Sequence, residues 1–179
     1  MILFLAALPD PETAAQIGAA FSDEIPGVVL TPPEKLHVTL RYLGNTQIEP
    51  KVLVERLDAE FKALGKERIM IKLGPNPVWF NRTVLAIPAH GAEELKDCCD
   101  AACTSLEVGP RMENFSGHMT LAHRRRVCPQ ATIRMLKRVE LRQTFAVEAV
   151  HLVQSQVSGN KTNYIHLEEV RLPRISSQS

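Results

Sequence analysis

The sequence predicts an α+β fold of two lobes. Each lobe is expected to be a mainly antiparallel sheet with helices outside, and the two to be related by pseudo-two-fold symmetry around a central cleft. Three observations carry this. His37-Val38-Thr39-Leu40 in the first half is matched by His118-Met119-Thr120-Leu121 in the second. A strand, helix, strand pattern recurs around each copy. Gly74-Pro75-Asn76-Pro77 interrupts the chain near its middle, which sets a lobe boundary near 74–78 inside one domain spanning 1–175. With ten threonines and twenty leucines in 179 residues, composition alone does not place His-x-Thr-Leu after two of six histidines.

The elements follow from local pattern. Residues 2–8 are a continuous apolar run and read as a buried strand. Asp10-Pro11-Glu12 opens a helix, with Asp10 as N-cap and Pro11 in the first turn, running to about Ser22. Residues 28–30 form a short strand and 36–43 the first motif strand, closed by Gly44-Asn45. Pro50 starts a helix to Leu64, with Val52, Leu53, Leu57, Phe61 and Leu64 on one face, and Gly65 ends it. Residues 69–73 are a strand. In the second half, strands are expected at 83–88, 117–122, 145–154 and 163–170, and helices at 92–106 and 131–139. Ser158-Gly159-Asn160-Lys161 is a turn, and 176–179 a flexible tail.

The bulk numbers exclude several classes. Charged residues are 23% and the net charge is +1, without the basic excess of proteins that grip long nucleic acid. The positive charge is clustered instead, at Arg124-Arg125-Arg126 and at Lys137, Arg138 and Arg142. Cys98, Cys99, Cys103 and Cys128 make no C-x-x-C pair, so a zinc ribbon or thioredoxin-like motif is not supported. Unpaired buried thiols fit a reducing compartment, and the expected location is the cytoplasm. The apolar start lacks a positive flank and meets Asp10 at once, so it reads as a strand and not a signal peptide. No run reaches the length of a membrane span. No glycine-rich phosphate loop is present, which leaves ATP use unsupported.

On a strand, residues i and i+2 share a face. His37 therefore lies beside Thr39, and His118 beside Thr120, with Val38, Leu40, Met119 and Leu121 turned into a core. Two such strands facing each other present two imidazoles and two hydroxyls. That set suits phosphoryl transfer without metal: one histidine takes a proton, the other gives one, and the hydroxyls hold the non-bridging oxygens. No acidic or cysteine ligand has suitable spacing with either histidine, so no metal site and no cofactor is expected. His90, His151 and His166 are weak candidates by the same reading.

The tandem motif resembles the two-histidine phosphoesterase superfamily. Leu36-His37-Val38-Thr39-Leu40-Arg41-Tyr42-Leu43-Gly44 is similar to its RNA 2′,3′-cyclic phosphodiesterase branch, also called 2′-5′ RNA ligases, with Tyr42 in the place of a usual Phe. The likeness takes in Leu3 to Pro9 at the start and Gly159, Tyr164 and Leu167 near the end. It implies hydrolysis of a 2′,3′-cyclic phosphate on RNA 3′ ends or nucleotides. A monomer with no membrane partner is expected. The resemblance also implies His37 as proton donor, His118 as acceptor, and a 2′-phosphomonoester product. Thr39 and Thr120 would hold the phosphoryl oxygens. The alternatives are cleavage or reversible formation of 2′-5′ linkages, and a non-catalytic binder of phosphorylated RNA ends.

The second motif departs from the family. Members commonly carry Arg two residues after the Leu, where this chain has His123. If the strand keeps its period, Arg124 shares the face of His118 and is expected to supply charge to the phosphate, while His123 points away. The alternatives are a one-residue bulge that restores the role to another Arg and a solvated basic turn. By the same parity Arg41 reaches the cleft rim, and Tyr42 packs in the core, with base stacking as its alternative.

Overall fold

A computed structural model describes residues 2–21, 24–110, 115–159 and 161–174. These form ten strands and four α-helices: β1 Ile2–Ala7, α1 Pro11–Ala19, β2 Val28–Leu30, β3 Val38–Gly44, α2 Pro50–Leu64, β4 Ile69–Leu73, β5 Val78–Phe80, β6 Val84–His90, α3 Glu93–Ser105, β7 His118–Arg124, α4 Gln130–Leu136, β8 Gln143–Val147, β9 Ala149–Ser158 and β10 Lys161–Arg171. The expected ends of the first helix at Ser22 and of the chain at 176–179 lie outside the described residues.

The local signals act as the sequence implies. Asp10 caps α1 by accepting from the Thr13 amide at 2.9 Å, and Pro11 fills the first turn. Gly65 ends α2 in the left-handed region at φ 65°. Leu53, Leu57 and Phe61 are fully buried, whereas Val52 faces solvent. The expected strand at 145–154 is two strands, β8 and β9, parted at Glu148.

All the pairings are antiparallel, in the order β10-β9-β1-β3-β7-β6-β4-β8, with β2 on β7 and β5 on β6. The result is a curled half-barrel. Gly74-Pro75 is a turn between β4 and β5 and does not divide the sheets. Strand β4 from before it pairs with β8 from after it, and the β9–β10 hairpin returns to β1. The two halves of the chain therefore interleave.

Helices cover one face only. α2 packs on α3, and the pair lies against β10 and β3. Leu3, Leu5 and Ala7 enter that core, while Phe4 and Ala6 join a second apolar cluster with Val153, Leu8 and Tyr164 on the opposite, cleft face. Both faces of β1 are covered, which is why its sequence is apolar throughout instead of alternating. The helical cysteines belong to the first core. Cys99 and Cys103 are buried on α3, and burial pushes the Cys103 thiol up to about 11, so these are inert packing groups.

Candidate active site

The two motif strands meet directly. Among the described residues β3 and β7 are joined by one pair, Val38 opposite Met119. Both side chains are fully buried, and they form the seam between the halves of the sheet. In this antiparallel register His37 falls across from Thr120 and Thr39 across from His118. Opposed residues on neighbouring strands point to one face. The seam thus places both histidines and both threonines on the cleft face, related by a local two-fold axis.

The surroundings of the two histidines match. His37 Nδ1 lies 2.8 Å from the Lys35 carbonyl, and His118 Nδ1 lies 2.8 Å from the Ser116 carbonyl. A carbonyl can only accept, so each Nδ1 carries hydrogen and donates it. That fixes the tautomer and leaves Nε2 as the nitrogen available to a ligand on both rings. Each ring is also backed by a phenylalanine at the same tilt of 33°: Phe4 at 5.1 Å from His37 and Phe80 at 5.0 Å from His118. Tyr164 adds an edge contact to His37 at 5.3 Å. Gly117 holds the approach to His118: a Cβ there would lie 2.4 Å from the Ala89 carbonyl oxygen, which itself sits beside the β6–β7 pairing.

Neither Thr39 nor Thr120 makes a side-chain hydrogen bond among the described residues. Both hydroxyls are half-buried and face the cleft. His37 is the more enclosed imidazole. Burial pushes its pKa below 6.5, the nearby His118 and His166 push the same way, and the bond to Lys35 partly opposes them.

Beyond the threonines the structure overturns the strand parity. Thr39 pairs with Ala6 and Arg41 with Leu5, so Leu40 has no partner on β1. Thr120 pairs with Ala86 and Ala122 with Leu85, so Leu121 has none on β6. Each motif leucine is a bulge, and each bulge inverts the residues that follow. Arg41 is thereby on the helix face, 2% exposed, in an ion pair with Asp100 at 3.1 Å; it does not reach the cleft rim. Tyr42, expected in the core, is opposite Phe4 on the cleft face and 39% exposed. Arg124 is likewise on the helix face beyond buried Ala122, and His123 is the exposed residue aligned with His118 and Thr120.

Two tests separate these placements. Arg41→Ala strands a partly buried carboxylate that keeps only Lys96, so thermal or denaturant unfolding should show a loss of about 2–4 kcal/mol. Substrate KM should stay near wild type. If His123 donates to a bound phosphate ester, His123→Ala should raise KM about tenfold, while Arg124→Ala should leave it near wild type in the same steady-state assay.

Sequence reasoning also passed over His151 and His166. The β9–β10 register sets His166 across from Val153 and Glu169 across from His151, and Val153 belongs to the cleft-face cluster. The two rings lie edge to face at 5.6 Å. Burial, chiefly, lowers the pKa of His151, and Glu169 partly opposes it. His151 and His166 thus share the face of the sheet that carries His37, His118 and His123. Period-two reading of isolated strands gave no signal for this, because it depends on which strands pair.

Among the described residues no group of three His, Cys, Asp or Glu side chains is arranged to hold a metal ion, and no helix is long and apolar enough to cross a membrane. Solved structures of similar architecture include TT0787 of Thermus thermophilus, at 25% identity and TM-score 0.69, covering 96% of this chain and 98% of that one. Escherichia coli LigT complexed with 3′-AMP matches at 20% identity and TM-score 0.68, covering 97% and 99%. The MHV ns2 PDE domain matches at 13% identity and TM-score 0.61, covering 84% and 96%. No curated protein matches by sequence. The model of one family spans residues 9–159, both His-x-Thr-Leu strands included, and on that match the chain belongs to the 2′-5′ RNA ligase superfamily of two-histidine phosphoesterases.

Proposed function

We propose that this protein hydrolyses 2′,3′-cyclic phosphates on RNA ends or nucleotides without a metal, giving a 2′-phosphomonoester. The observation that carries the reading is the pair of imidazoles with both Nδ1 atoms tied to carbonyls. Two working Nε2 atoms on either side of a seam suit an in-line displacement, in which one proton leaves the nucleophile and another reaches the leaving oxygen. A water oxygen attacks phosphorus and passes its proton to His118 Nε2. The P–O3′ bond breaks, and His37 Nε2–H protonates O3′. The hydroxyls of Thr39 and Thr120 donate to the non-bridging oxygens, and His123 adds a further donor at the motif's end.

His37 takes the donor role from the family resemblance. Its burial favours the neutral ring in the free protein, so the anionic phosphodiester must draw the proton onto it as it binds. The supporting relative is LigT, which was solved with 3′-AMP, a phosphorylated nucleotide. A protein that only binds RNA ends has no need of two titrating nitrogens on one phosphate.

The direct test is incubation with 2′,3′-cyclic nucleotides and with short RNA ending in a cyclic phosphate, in chelator, beside 2′-5′-linked dinucleotides. Turnover of the cyclic substrates supports the proposal. Turnover of the 2′-5′ dinucleotides alone rejects it for the linkage-cleaving alternative, and binding without any turnover rejects it for the binder.

The pH profile is a further expectation. kcat/KM should be a bell, because one ring must be neutral and the other charged. The lower limb belongs to the group with the lower pKa. His37 is lowered, so that limb should lie below pH 6.5, with activity falling as pH drops through it, whichever way the proton moves. His37→Ala should turn the bell into a single rise with pH in the residual activity, since only the acceptor's neutral form is then required.

A further inference from the structure

Arg124 is turned away from the cleft, and what it faces instead is a second site. A cavity of about 380 Å³ on the helix face is lined by Trp79, Arg82, Arg124, Gln130, Ile133 and Lys137. Gln130, Ile133 and Lys137 fall at i, i+3 and i+7 along α4 and its end, and so share one side of that helix. Trp79 comes from β5, Arg82 from the turn after it, and Arg124 from the end of β7. Three cations line the cavity and no carboxylate does. Among the described residues none of the three has an ion-pair partner, and the Arg124 guanidinium has only a long contact, 3.5 Å, to the Arg82 carbonyl. In a chain of net charge +1 this is a concentration of unopposed positive charge.

A second observation points to a ligand. The Trp79 indole Nε1–H is buried and donates to nothing in the protein. The indole ring lines the cavity while Nε1 itself is shut off from it, so it is the ring that this tryptophan offers a ligand. The charged donors are two planar guanidiniums and an ammonium, which together match the oxygens of a phosphate. A neighbouring base has the indole ring to stack on.

We propose that this cavity binds a backbone phosphate of an RNA chain, at a point separate from the histidine cleft. The proposal rests on the reading of the substrate as RNA. The two sites lie back to back across β5: Phe80 stacks on His118, and its neighbour Trp79 lines the cavity. A strand that leaves the cleft over the β5–β6 turn meets Arg82 on its way. The cavity would then let the protein prefer an RNA end over a free cyclic nucleotide, despite its low net charge.

Trp79 is the chain's one tryptophan, so its emission reports on this cavity directly. The titration uses the His118→Ala protein, so that no turnover intervenes, with a short single-stranded RNA, inorganic phosphate and adenosine 2′-monophosphate as separate ligands. RNA should change Trp79 emission at concentrations at least tenfold below those needed for the two small anions. Lys137→Glu should weaken that response about 5- to 10-fold and lower the salt slope of binding by about 0.7, and Lys137→Arg should restore it. In the otherwise wild-type protein, Lys137→Glu should raise KM for RNA by the same factor and leave cyclic-mononucleotide turnover unchanged. No emission change with RNA, no effect of Lys137→Glu, or an equal response to the small anions would each overturn the proposal. A protein that passes the titration yet hydrolyses no cyclic phosphate would keep this site and reject the catalytic reading.

Discussion

Replacing His118 or His37 with alanine should lower turnover of a 2′,3′-cyclic nucleotide at least ~100-fold, the scale on which a positioned acid or base acts. Folding should survive either change, because both rings are only partly buried on the cleft face and neither belongs to the helix-face core. The two variants should differ with an aryl phosphodiester, whose nitrophenolate leaves without a proton. His37→Ala should lose little on that substrate if His37 is the donor, while His118→Ala should stay impaired. The reverse pattern would exchange the roles and leave the pair itself intact.

The second large effect is expected from the threonines. Thr120→Val keeps the shape of a β-branched strand residue and removes the hydroxyl. If that hydroxyl donates to a phosphoryl oxygen as charge builds on it, kcat should fall about 100-fold, and Thr39→Val should fall similarly because the seam relates the two positions. Neither hydroxyl bonds to the protein among the described residues, so unfolding midpoints should barely move. A wild-type kcat in both variants would leave the hydroxyls as packing groups and pass the task of holding phosphate to other donors.

The sequence carried most of this architecture, because its signals are local. Asp10 and Pro11 start α1, Gly65 stops α2, and β2, α2 and β4 have the bounds that their patterns imply. The histidines and threonines were legible for the same reason: alternation holds from His37 to Thr39 and from His118 to Thr120. It fails one residue later, at Leu40 and Leu121. A bulge is a property of two strands, and nothing within Leu-Arg-Tyr or Leu-Ala-His marks it. The parity reading therefore sent Arg41 and Arg124 to the wrong face and Tyr42 into the core. The bulges also give the family's sequence spacing a physical meaning, since a residue three positions after the threonine returns to the cleft only if one residue between them is unpaired. The exchange of strands between the two halves was hidden for a related reason. β9 and β10 look like a second-lobe hairpin until β1 is seen beside β9.

The account stands on two imidazoles acting on one phosphorus without a metal. The most direct measurement is phosphorus NMR of a 2′,3′-cyclic nucleotide incubated with the protein in excess chelator. The cyclic resonance should give way to a single 2′-phosphomonoester, and the His37→Ala, His118→Ala double variant should leave it unchanged over the same time. A 3′-phosphomonoester product, turnover that returns only with added divalent ion, or conversion by the double variant would contradict the account.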